Sequence, residues 1–115
     1  MILSDSKEKI KRLSQFITET RFSKMQSVLA KRTRYVTIVL ENIFQAHNVS
    51  AVMRSCDCFG IQDLHIIENK FTFSHNPDVD MGSSQWLSIY RYNKNNENTL
   101  DCLKQLKKNG YRIAA

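Results

Sequence analysis

VTIVLENIFQAHNVSAVMRSCDCFGIQDLHII, residues 36–67, is the stretch on which the fold turns. Its first part belongs to YVTIVL (35–40), a β-branched run without alternation, as expected of a strand covered on both faces in a parallel sheet. Val49, Val52, Met53, Cys56 and Phe59 then recur at helical spacing over 49–59, with Asn48 placed as N-cap and Gly60 at the C-cap. DLHIIE (63–68) reads as a second strand. Strand, helix and strand within about thirty residues make a right-handed parallel crossover. The expected class is α/β.

The turn from strand to helix carries no glycine. A loop that wraps phosphate with its backbone would be Gly-rich, so a generic dinucleotide-binding domain does not fit. His47, Asn48 and Ser50 stand there instead, with Arg54 a turn further on. At about 100° per residue, Arg54 falls opposite the apolar stripe, and Ser50 and Asp57 lie within about 60° of it. This polar face flanks the carboxyl end of a parallel strand, where open α/β sheets bind ligands. Against a ligand role stands an ordinary surface pair between Arg54 and Asp57 at i, i+3.

Working outward, residues 5–30 show two helical pieces. Ile10, Leu13 and Ile17 mark the first, capped by Ser4 or Asp5, and Phe22, Met25, Val28 and Leu29 mark the second. TETR (18–21) is the break. Residues 69–85 have turn chemistry and read as a long loop. WLSIYRY (86–92) is a strand candidate. Asn98 caps a further helix carrying Leu100, Leu103 and Leu106 on one side, and Gly110 ends it. YRIAA (111–115) opens another strand, which would leave the sheet half built. The expectation is therefore a partial domain.

With 115 residues, the chain supports one core. Its net charge of +6 is concentrated: residues 1–34 hold nine Lys or Arg against three acids, and the remainder is balanced. Such a segment suits a polyanion. The division read from this is a basic helical RNA-binding extension, 1–34, before an α/β domain, 35–115. Lys9, Lys11, Arg12, Lys31, Arg32 and Arg34 are its candidate phosphate contacts. Three cysteines, with Cys56 and Cys58 two apart on a helix, match neither a disulfide framework nor a metal site. No apolar run reaches the roughly 18 residues a membrane span needs, and the early charge of MILSDSKEKIKRL is unlike a signal peptide. The compartment expected is the cytoplasm.

The core TIVLENIFQAHNVSAVMRSCDCFGIQDLHII resembles motif 1 of the SpoU/TrmH-type RNA 2′-O-ribose methyltransferases of the SPOUT superfamily. MQSVLAKRTRY before it, DVDMGSSQW after it and LKQLKKNGYRIAA at the end extend the likeness over most of residues 21–115. Within that family it is most similar to the tRNA guanosine-18 2′-O-methyltransferases of the D-loop. The resemblance implies that Arg54 activates the ribose 2′-hydroxyl for attack on the methyl of S-adenosylmethionine. It implies that Asn48 supports the site and contacts RNA, with Ser50 and Glu41 also at motif positions. An arginine is a poor base, its pKa exceeding about 12, so a bidentate grip on an RNA phosphate is the more natural role. The family binds its methyl donor in a C-terminal trefoil knot whose motifs do not occur in these 115 residues. A chain so composed lacks the cofactor pocket and is inactive alone, and the family's homodimer, which leans on the knot, is in doubt for it. The non-enzymatic alternative is a module that grips RNA through its basic helices.

Overall fold

A computed structural model describes residues 2–74 and 82–115, with side chains from residue 5 onward. The chain divides into two compact units, Met1–Arg32 and Thr33–Ala115. The second begins two residues before the expected boundary because Thr33 already bridges Ile61, taking Gly60 O at 2.8 Å and offering its carbonyl to Gln62 N.

The first unit holds α1 (Ile2–Ser14) and α2 (Glu19–Ala30). TETR is the break, and Thr18 is the true cap: its Oγ1 accepts from Arg21 N at 3.2 Å. Since α1 starts at Ile2, Ser4 and Asp5 lie inside its first turns and not ahead of them.

In the second unit, β1 (Ile38–Glu41), β2 (Asp63–Ile67) and β3 (Ser88–Tyr92) form a parallel sheet in the order β1-β2-β3. The helix α3 (Ala46–Phe59) crosses between β1 and β2, a 3-10 turn at Ser83–Gln85 precedes β3, and α4 (Asn98–Lys108) follows it. Alternation along each strand sends side chains to two faces. Leu64 and Ile66 join Val49, Met53 and Cys56 of α3, while Ile67 meets Cys102 and Leu106 of α4.

Several expectations are corrected. Full burial belongs to central β2, whereas β1 is half-buried, because β2 alone has a strand on each side. The α3 stripe is rotated toward Ser50, which is buried, while Phe59 is 80% exposed. In α4 the buried side chains are Asn98, Cys102 and Leu106, leaving Leu100 exposed, since the i, i+4 line meets the sheet. Asn98 is the first residue of α4 and not its cap. Residues 111–115 form no strand: among the described residues no strand pairs with them, and Tyr111 N returns to Leu106 O at 3.0 Å. Residues 75–81 of the expected loop, and with them part of DVDMGSSQW, lie outside the described residues.

Gly60 does end α3. At φ 74° it is left-handed, and Ile61 N returns to Cys56 O at 2.9 Å while Gly60 N reaches Asp57 O at 3.3 Å, the Schellman pair. A Cβ in that conformation costs about 1–2 kcal/mol. Gly60→Ala is therefore expected to lower the urea midpoint with the slope unchanged; an unaltered midpoint would show the cap is dispensable.

Candidate functional site

The carboxyl ends of β1 and β2 are tied together by short polar side chains. Asn42, itself left-handed at φ 53°, accepts from Asn69 N and Lys70 N through Oδ1, both at 3.0 Å. Asn tolerates that backbone better than most residues, because its amide bonds locally. Asn69 in turn reaches Thr99 Oγ1 at 2.8 Å and accepts from Asn98 N at 3.2 Å. Glu68 closes the next connection. Its carboxylate takes Arg91 Nε and Nη2 at 2.9 and 2.7 Å, Asn93 Nδ2 at 3.0 Å and Phe73 N at 2.5 Å. The Arg91 hydrogen bonds hold the Glu68 carboxyl below its ordinary value, and Glu68 raises Arg91 in return.

Arg54 lies on the outer, solvent side of α3, as its spacing predicts. Among the described residues no carboxylate pairs with it, so the Arg54–Asp57 bridge allowed by the spacing does not form. Helix α3 starts three residues earlier than expected, with Gln45 at the N-cap position and no side-chain cap bond, which places Asn48 within the first turn; it is exposed, with its N–H on Gln45 O. His47, named at the strand-to-helix turn, was not assigned to the Arg54 face. One heptad before Arg54, it shares that outer face within about 20°, roughly 10 Å along the axis, with Ala51 between them. The i, i+7 spacing was the available signal.

Ser50 is fully buried, which contradicts its placement on the open polar face beside Arg54. Its small side chain fits beneath the helix where a longer polar one would not. Glu41 is not brought to Arg54 either: alternation along β1 turns it away from Ile38 and Leu40, and Thr99 Oγ1 donates to its Oε2. Of the basic candidates, Lys9 pairs with Asp5 at 2.9 Å and Arg12 with Glu8 at 3.0 Å, both i, i+4 pairs in open solvent. Such pairs contribute a few tenths of a kcal/mol each and leave the charges available to a polyanion. Lys11 and Lys31 are exposed and Arg32 half-buried. Arg34 belongs to the second unit and sits 3.5 Å from Asp63, at the amino ends of the strands.

A cavity of about 1050 Å³ opens on the α4 side of the sheet, between Val36, Val39, His65, Tyr90, Leu106 and Ile113. His65 stacks on Tyr90 at 4.9 Å and meets the Tyr92 hydroxyl at 2.9 Å. Burial lowers the His65 pKa and pushes Tyr92 up to about 12, so both stay neutral near pH 7. Arg54 is on a helix that covers the opposite face. A methyl donor seated in this cavity would be separated from Arg54 by the sheet. This cavity therefore does not seat a methyl donor within reach of Arg54.

The parallel α/β sheet carries no glycine-rich phosphate loop, which sets the fold apart from the dinucleotide-binding class. Residues 35–115 match the SpoU rRNA Methylase family model, and the chain belongs to that family. It is 43% identical over 103 residues to a tRNA (guanosine(18)-2′-O)-methyltransferase of Borreliella burgdorferi, covering 90% of this chain and 45% of that protein. A Thermus thermophilus protein of the same name is 28% identical over 98 residues, covering 85% and 48%. The crystal structure of the Aquifex aeolicus TrmH/SpoU tRNA modifying enzyme superposes with a TM-score of 0.68 at 28% identity, covering 80% of this chain and 45% of that one. The chain thus spans a little under half the length of these relatives.

Proposed function

We propose that this chain is the acceptor-binding half of a tRNA guanosine-18 2′-O-methyltransferase, and that Arg54 holds the RNA phosphate beside the ribose to be methylated. The observation that carries this reading is Arg54 itself, solvent-facing and without a carboxylate partner among the described residues, in a chain of the SpoU family. A guanidinium fork on a phosphate fixes both position and rotation of the attached ribose. Asn48 and His47 flank the same helix start, and the basic residues of 1–34 add phosphate contacts that set affinity without reading sequence. S-adenosylmethionine is the methyl source of this reading. The cavity on the α4 side is separated from Arg54 by the sheet, which supports the reading that the 115 residues by themselves bind tRNA and do not turn over. We place the protein in the cytoplasm and the intact enzyme as a homodimer. Among the described residues, no helix is long and apolar enough to cross a membrane.

Binding of a tRNA transcript to this chain tests the first half of the reading. Each phosphate contact releases counterion, so raising salt from 50 to 200 mM is expected to weaken binding about tenfold or more. A salt-insensitive affinity, or none, overturns it.

A further inference from the structure

Two phenylalanines stand together at the ligand end of the sheet, one from each loop that the Asn42 clamp joins. The Phe44 and Phe71 ring centroids are 4.9 Å apart with planes inclined at 54°, and Lys70 Nζ lies 5.7 Å from the Phe71 centroid. Phe44 is 72% exposed, and so presents an aromatic face to solvent two residues before α3 begins. The pair is built on fixed supports. Asn42 Oδ1 holds Asn69 N and Lys70 N, and Glu68 holds Phe73 N, so Phe71 sits on a segment fastened on both sides. An exposed ring backed by a second ring, with an ammonium beside it, is complementary to a nucleobase and its phosphate. A protein partner would ask for a broader apolar surface, whereas here the Lys70 ammonium lies over the Phe71 ring.

We infer that Phe44, backed by Phe71, is a stacking platform for an unpaired base of the RNA loop that carries the target ribose, with Lys70 on the adjoining phosphate. This rests on the RNA-directed reading above and extends it from phosphate contact to base contact. A base can lie on Phe44 only when it is out of a duplex, so the platform selects loops over stems. The rings recognise no particular base, because every base offers a π-face.

The test compares a tRNA transcript with an RNA duplex of equal charge that has no unpaired base, using wild type, Phe44→Ala and Phe44→Trp. Phe44→Ala is expected to lose roughly tenfold in affinity for the tRNA, the size of one base–aromatic stack, and nothing for the duplex. Phe44→Trp keeps the tRNA affinity, and its added emission is quenched by tRNA and not by duplex, measured against the Trp86 signal of the wild type. Equal tRNA binding by Phe44→Ala, or Phe44→Trp binding without added quenching, overturns the platform while leaving the RNA reading intact. A shift of Phe44→Ala in sedimentation with unchanged RNA affinity also overturns it, by assigning the rings to contact between copies. Failure of the wild type to bind either RNA removes both readings.

Discussion

Arg54→Ala is expected to slow methyl transfer to tRNA by the intact protein at least a hundredfold, while tRNA affinity falls no more than about tenfold. The split follows from what a guanidinium does at this place. One charge-assisted contact among several, on a solvent-exposed helix face, is worth about 1.5 kcal/mol in binding, the low end for such bonds and close to a factor of ten. Aligning the ribose hydroxyl for attack acts on the transition state, where losing one well-placed donor costs about 2.7–4 kcal/mol. Arg54→Lys keeps the charge and loses the fork, so it should recover affinity more fully than rate. Full turnover by Arg54→Ala would remove Arg54 from the chemistry. Because the side chain is exposed, Arg54→Ala should keep the wild-type urea midpoint, which separates the result from a fold defect.

Glu68→Ala carries the second large effect, on stability. The carboxylate is buried and takes hydrogen bonds from Arg91, Asn93 and the Phe73 backbone. Removing it strands Phe73 N–H and a half-exposed guanidinium, a loss of about 3 kcal/mol. For a unit of this size that is on the order of 15 °C in melting temperature. Because Arg91 holds the folded-state carboxyl below its ordinary 4.5, the stabilisation is complete above that pH and drains away as pH falls through the lowered value. Wild type should thus lose stability below about pH 4.5 more steeply than Glu68→Ala does. Parallel acid profiles for the two proteins would mean the pair contributes little.

The crossover from β1 through α3 to β2 could be read from apolar spacing, and so could the left-handed Gly60. Both are local signals, with period 3.6 on one side and a C-cap glycine on the other. Arg54 was readable for the same reason, because its direction depends only on helical phase. Ser50, Glu41 and Phe59 were not, because their surroundings are set by which elements pack where. Ser50 lies at the margin of the stripe, where packing from outside the helix decides burial. Glu41 follows the pleat of an edge strand whose α4 side is supplied nearly sixty residues later, at Thr99. The Asn42 clamp and the Glu68–Arg91 pair join loops distant in sequence, and neither Asn nor Glu announces such a partner. Phe44 carries no periodic signal, and its ring partner Phe71 comes from a loop distant in sequence.

A phosphate-neutralisation cycle addresses the role of Arg54 most directly. Methylphosphonates are introduced singly at the phosphates flanking the target ribose, and each tRNA is titrated with wild type and with Arg54→Ala. One neutralised phosphate is expected to weaken wild-type binding about tenfold and to leave Arg54→Ala unaffected, since the contact has already been removed. If every neutralised phosphate weakens both proteins by the same factor, Arg54 does not hold the RNA backbone.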